Sequence, residues 1–186
     1  MTLFEYLAIA YSLVFSFSAM RLVGGLPHAL DPDRRYWLHV CWVLIQLVGI
    51  TGQFWVFWSY RDVEWTYPRF FLTLANPSLL YFNACTLVPE APASVESWRT
   101  YYYSVRRKFF LAVMLYSLII AADASVALQI PIDDPTRASQ VILFVAGAVG
   151  ASSGSPRVHA GLGALFAGFV FIAMFIVFAG PGPLAR

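Results

Sequence analysis

The sequence predicts an all-α integral membrane bundle of about six transmembrane helices, and three observations predict it. Apolar residues fill 60% of the 186 positions. Only 12% are charged, roughly half the share of a soluble domain. The charges sit in clumps, and the apolar runs between the clumps are about 20 residues long, enough to cross the hydrocarbon core as a helix. This pattern excludes a water-soluble globule, a disordered chain and a nucleic-acid binder. The formal net charge of +2 is also too small to imply a nucleic-acid partner.

The first span is expected over 3–23. Glu5 precedes its apolar stretch and no Lys or Arg comes before Arg21, so it lacks the basic start of a cleavable signal peptide. Pro27, Asp31 and Pro32 separate it from a second span over 36–58. A short hairpin leads to a third over 67–88, closed by Pro89 and Pro92. The fourth is expected over 108–128, before Pro131, Asp133, Asp134 and Pro135. The fifth, over 138–151, is short, and a re-entrant course there would invert the topology after it. Ser152 to Pro156 precede the sixth, over 159–179, which Gly180-Pro181-Gly182-Pro183 stops. Gly and Pro clusters between apolar runs are turn chemistry.

The 94–105 segment reads as an interfacial helix. Ser94 can cap it, and Val95, Trp98, Tyr102 and Val105 share one face at helical spacing. Arg106, Arg107 and Lys108 follow at once. With Trp98 they form either a topology determinant or a contact for anionic lipid or a partner. Loops one, three and five carry eight basic residues: Arg21, Arg34, Arg35, Arg99, Arg106, Arg107, Lys108 and Arg157. The opposite side carries four: Arg61, Arg69, Arg137 and Arg186. Positive charge stays inside, so both termini are expected to be extracytoplasmic. Trp55, Trp58, Tyr60, Trp65 and Tyr67 crowd the outer hairpin at headgroup level.

Polar residues inside the spans are sparse and periodic. His39, Gln46 and Gln53 repeat every seven residues in the second span, and Arg69, Asn76 and Asn83 do so in the third. Seven residues is about two helical turns, so each set is a stripe. In an antiparallel hairpin centred near Arg61 the stripes match in depth, which predicts that they face each other or share one polar interior. Such amides are either glue between helices or the lining of a pathway. Pro77 removes a backbone donor from the third span and can free the Thr73 carbonyl. Glu5 and Asp123 are the two acids expected inside spans, toward the outer leaflet. Asp123 shares a face with Tyr116, and pairing with Arg61 or Arg69 competes with a proton or cation role.

The hairpin residues Arg61, Asp62, Glu64 and Trp65 form either an anchored turn with local ion pairs or an outer contact surface. His39 and His159 are the one histidine pair that could ligate a haem between spans; no other metal or cofactor is expected. Cys41 and Cys85 form no CxxC, and no HExxH, GxSxG or P-loop is present. Ala146 with Gly150, Gly147 with Ala151, and Ala164 with Gly168 are small-xxx-small pairs that permit close packing, within the chain or in a dimer.

The Phe4-Glu5-Tyr6 opening, Arg21-Leu22 followed by Gly24-Gly25, and the Trp58 to Tyr67 hairpin resemble a group of small bacterial multi-span membrane proteins with no assigned activity. The resemblance implies a bacterial cytoplasmic (inner) membrane location and brings no catalytic residue with it. Three functions follow in order: a non-enzymatic accessory or interaction subunit, a small transporter or channel with a polar interior between spans two, three and four, and a haem-binding redox protein. The expected partners are the lipid bilayer, anionic lipid at the third loop, and a second copy or a membrane complex.

Overall fold

The computed structural model describes residues 2–172, which are 80% helical with no strand. The six helices are α1 (Leu3–Ala29), α2 (Trp37–Val56), α3 (Tyr67–Leu87), α4 (Trp98–Val126), α5 (Arg137–Ser152) and α6 (Pro156–Ile172). A 3-10 turn, Phe57–Tyr60, extends α2, and another, Pro92–Ser94, precedes α4. Four helices are long and apolar enough to cross a membrane: α1, α2 with its 3-10 extension, α3 and α4. The expected end of the sixth span at 179, the stop at Gly180 to Pro183, Arg186 and the C-terminus lie outside the described residues.

Two elements differ from the sequence reading. α1 continues past Val23 because its glycine pair does not break it. Gly25 lets α1 close onto the start of the third loop, where a Cβ would come within 2.6 Å of the Val88 Cγ2. The separate interfacial helix over 94–105 is not formed. Ser97 caps the helix instead, its hydroxyl accepting from the Thr100 amide at 3.4 Å, and 98–105 are the first turns of α4. No Gly or Pro lies between Trp98 and Val126, so nothing divides the amphipathic start from the apolar remainder.

α3 packs between α1 and α4, α5 lies along α4, and α6 rests on α2. The α4–α5 contact uses two of the predicted small residues. A Cβ on Gly147 would lie 2.6 Å from Met114 Cγ and 3.0 Å from the Phe110 carbonyl; one on Gly150 would overlap the Phe110 ring. These glycines therefore serve packing inside the chain. Ala164 and Gly168 of α6 face outward. An aromatic core fills the middle: the Trp42 ring meets Phe109, Phe110 and Phe166 at centroid distances of 5.4, 5.2 and 5.2 Å. Large apolar side chains such as Phe17, Met20, Phe71 and Leu118 are exposed on the outer faces, which suits a lipid surround.

The connections sort to two ends. At one, Phe4 stacks on Phe57 at 5.1 Å, and 127–129 join Ser59, Asp62, Val63, Glu64 and Arg69 around a surface recess. At the other, Arg34 donates to the Ala93 and Val95 carbonyls. There the Trp98 indole donates to the His28 carbonyl at 2.7 Å, and Arg106 Nε donates to Ser153 O at 3.1 Å. Loops one, three and five thus gather together.

Candidate functional site

The candidate site begins with a missing donor. Pro77 has no N–H, so α3 cannot satisfy the Thr73 carbonyl in the usual way. The Tyr11 hydroxyl of α1 donates to that carbonyl at 2.9 Å. The Thr73 hydroxyl turns the other way and donates to Asp123 Oδ1 on α4 at 2.6 Å. One turn further on, Asn76 Nδ2 donates to Asp123 Oδ2 at 2.9 Å. The Tyr60 hydroxyl, from the turn after α2, donates to that same oxygen. Asp123 is 1% exposed, Thr73 0% and Asn76 2%. A carboxylate so deeply buried receives three hydrogen bonds, all from neutral groups.

The expected pairing of Asp123 with Arg61 or Arg69 is not formed. Arg61 pairs with Asp62 at 3.1 Å and lies over the Trp58 ring. Arg69 donates to the Glu64 carbonyl at 2.7 Å. Arg137 caps the carbonyl end of α4 and the loop after it, reaching Ala121 O and Ile130 O. Each guanidinium finds polar partners among the connections at this end without being drawn into the bundle. Arg69 therefore belongs to the hairpin and not to the interior.

A second feature lies beside the cluster. A cavity of about 260 Å³ opens between α2, α3, α4, α5 and α6, lined by Gln46, Gln53, Asn83, Tyr116, Ser139 and a majority of aromatic and aliphatic side chains, with Gly49 and Gly52 in its wall. No charged residue lines it among the described residues. Gln46 Nε2 donates to the Leu80 carbonyl at 3.3 Å, while Asn83 Oδ1 is buried without a partner among the described residues. The two predicted stripes thus share an interior only in part. Gln46, Gln53 and Asn83 meet at the cavity, and Asn76 turns to Asp123.

The remaining predicted residues have other places. Glu5 belongs to the N-terminal cap of α1, where the Thr2 amide donates to its carboxylate at 2.7 Å and its own amide donates to the Thr2 hydroxyl. It is exposed, away from the interior. His39 is fully buried and stacks on Trp98 at 4.6 Å, and neither ring nitrogen has a hydrogen-bond partner among the described residues. Its neighbours at that depth are the aromatic rings of Trp98, Tyr101 and Tyr102 and not the amides of its stripe.

His159 Nε2 donates to the Ser153 carbonyl at 2.9 Å. That tautomer leaves Nδ1 to accept from the Tyr102 hydroxyl, also at 2.9 Å. Both nitrogens are engaged, so the His39/His159 pair does not fit axial haem ligation. Trp98 is wholly buried and is no lipid or partner contact. Arg106 is bound within the chain, to the Tyr103 and Ser153 carbonyls. Arg107 and Lys108 are exposed, Lys108 Nζ standing 4.8 Å from the Phe82 ring centroid. In the hairpin Arg61, Asp62 and Glu64 are exposed, and Trp65 is half-buried on Tyr60 at 6.2 Å.

Two residues of the cluster escape a reading of the sequence, Tyr11 and Tyr60. The spacing of Thr73 and Pro77 announces an orphan carbonyl but not which helix supplies its donor. Outside the spans, hydrogen bonding from Arg34 lowers the Asp31 carboxyl below its ordinary range. The Thr136 side chain and amide do the same for Asp134.

The chain matches no protein-family model, and neither curated proteins nor solved structures give a match. Fold and site define a class on their own terms: an all-helical, membrane-type bundle with a buried carboxylate cluster and a separate, charge-free cavity.

Proposed function

We propose that this protein is a small transporter or channel of the bacterial cytoplasmic membrane, with six spans, both termini outside, and an uncharged solute held between α2, α3 and α4. The observation that carries this reading is the cavity, where amides from two helices converge within apolar walls. Ligand sites have this composition: mostly apolar surface with a few polar groups that fix orientation. Amides alone would suffice as helix glue, and Gln46 does bridge to the Leu80 carbonyl, but open volume lies beside it, with Gln53 and Asn83 in the same lining. The lining among the described residues is apolar side chains, amides and hydroxyls, which suits an uncharged solute, because an ion would enter such a lining with its desolvation uncompensated.

Gly49 supplies the test. A Cβ there would meet no atom within 4 Å, and Gly49 is in the wall of the cavity, so a side chain at this position narrows the open volume. Proteoliposomes carrying the full chain should pass glycerol or urea faster than protein-free vesicles in a light-scattering shrinkage assay. Gly49→Leu should slow both while keeping the protein helical and monodisperse. Equal rates with and without protein would refute the reading for solutes of this kind.

The accessory-subunit reading is second and is favoured by a different observation. The outer recess of about 470 Å³ gathers Ser59, Asp62, Glu64, Arg69 and Gln129 at the surface, and Gln129 has a positive φ of 53°. A purified chain that shows no association with itself or with any membrane complex would remove it.

A further inference from the structure

We infer that Asp123, with Thr73, Asn76 and Tyr60, forms a binding site for one small monovalent cation, a proton or a sodium ion, taken up on the Asp123 carboxylate. The site is distinct from the cavity, and the inference does not depend on the cavity carrying a solute.

Charge balance is the first argument. A carboxylate 1% exposed inside a helical bundle loses nearly all its hydration, and an ion in that position is paired, neutralised or hydrated. Here the three partners are an alcohol, a phenol and an amide. The arginines of the connections at this end of the bundle are committed elsewhere: Arg61 to Asp62, Arg69 to the Glu64 carbonyl and Arg137 to the carbonyls that end α4. Every element packed around the carboxylate offers neutral groups: Tyr11 from α1, Tyr60 from the turn after α2, Thr73 and Asn76 from α3, and Tyr116 from α4 itself.

The second argument is independent. Asn76 is 2% exposed, and its Oδ1 has no hydrogen-bond partner among the described residues, although its amide nitrogen lies against the carboxylate at 2.9 Å. A buried acceptor without a donor is costly, and beside a carboxylate this oxygen is free to accept from a proton donor or to coordinate a cation. Carboxylate, alcohol, phenol and amide oxygens are the ligand types of a hard cation. A proton would sit on one carboxylate oxygen, with the neighbouring hydroxyl oxygens able to accept from it. The site ties α1, α3, α4 and the outer turn together, so its occupancy should be felt in the stability of that end of the bundle.

The full chain in detergent tests this without any flux measurement. Infrared spectra in choline chloride, from about pH 5 to about pH 9, should show a protonated carboxyl band that grows on acidification and is missing from Asp123→Asn. That result assigns the proton. Independently, replacing choline by sodium at constant ionic strength should raise the wild-type unfolding temperature by a few degrees through linkage, which assigns the metal ion. Thr73→Val, which removes one oxygen, should weaken whichever response is seen by about tenfold in affinity. If Asp123→Asn fails to fold, Asp123→Glu keeps a carboxyl at the site and should shift the frequency of the same band, which assigns it. A carboxyl band that is constant across pH, or always absent, together with no sodium effect, would overturn the inference.

Discussion

Tyr11→Phe is the sharpest probe of how α1 is joined to α3. The Tyr11 hydroxyl is 2.9 Å from the Thr73 carbonyl, whose helical donor Pro77 deletes. Tyr11 is 2% exposed and Thr73 0%, so water does not replace the lost bond. Leaving a buried acceptor unsatisfied costs about 1–3 kcal/mol, and hydrogen bonds between membrane helices average about 0.6 with a maximum near 1.7 kcal/mol. We expect Tyr11→Phe to destabilise the bundle by about 1–2 kcal/mol. Pro77→Ala changes the outcome, because residue 77 then offers its own N–H to Thr73. In that background Tyr11→Phe should cost about 0.5 kcal/mol or less, giving a coupling near 1 kcal/mol in a double-mutant cycle. Unfolding in mixed micelles, followed by far-ultraviolet circular dichroism, measures all four proteins. Equal costs of Tyr11→Phe in the two backgrounds would refute the idea that Tyr11 fills the gap made by Pro77.

Further outcomes are expected elsewhere in the bundle. Gly147→Leu should destabilise by about 2–3 kcal/mol through overpacking against Met114 and the Phe110 backbone. Gly161→Leu, at a position where a Cβ meets nothing within 4 Å, should be close to neutral; the same micelle titration compares them. His39→Phe should be neutral or stabilising, because neither ring nitrogen loses a partner and the stack on Trp98 survives; a large loss of stability would show an unrecognised polar role. Asp31, held by Arg34, has its carboxyl lowered from 3.8. Its contribution is therefore full above that value and lost as pH falls through the lower, folded-state value. Acid titration of wild type against Asp31→Asn should show a difference that vanishes at the acid end, and a difference independent of pH would count against the Arg34 contact.

Much of this was legible in the residues. The apolar runs mark the helices because a buried backbone in lipid is satisfied within a helix. Turn residues such as Pro32, Pro89 and Pro131 separate them. Asp123 stands out because an acid in an apolar run is expensive, and Pro77 points to the Thr73 carbonyl four residues before it. The reading of His159 as a possible ligand and of Trp98 as a surface anchor went astray for one reason. Residue type and periodicity give a face, but the occupant of that face is another helix. Tyr102 and Ser153 take the His159 nitrogens, and the His28 carbonyl takes the Trp98 indole.

Class, helices and the scarcity of polar groups within them follow from the order of residues along the chain, because hydropathy and chain-local hydrogen bonding act over one or two turns. The tertiary structure alone decided which polar groups meet. Tyr11, Tyr60, Thr73, Asn76 and Asp123 come from four separate elements, and their meeting depends on α3 lying between α1 and α4. That arrangement follows from the packing of whole helices, where a glycine at 25 or 147 sets how closely two axes approach, and no local pattern of residues encodes it.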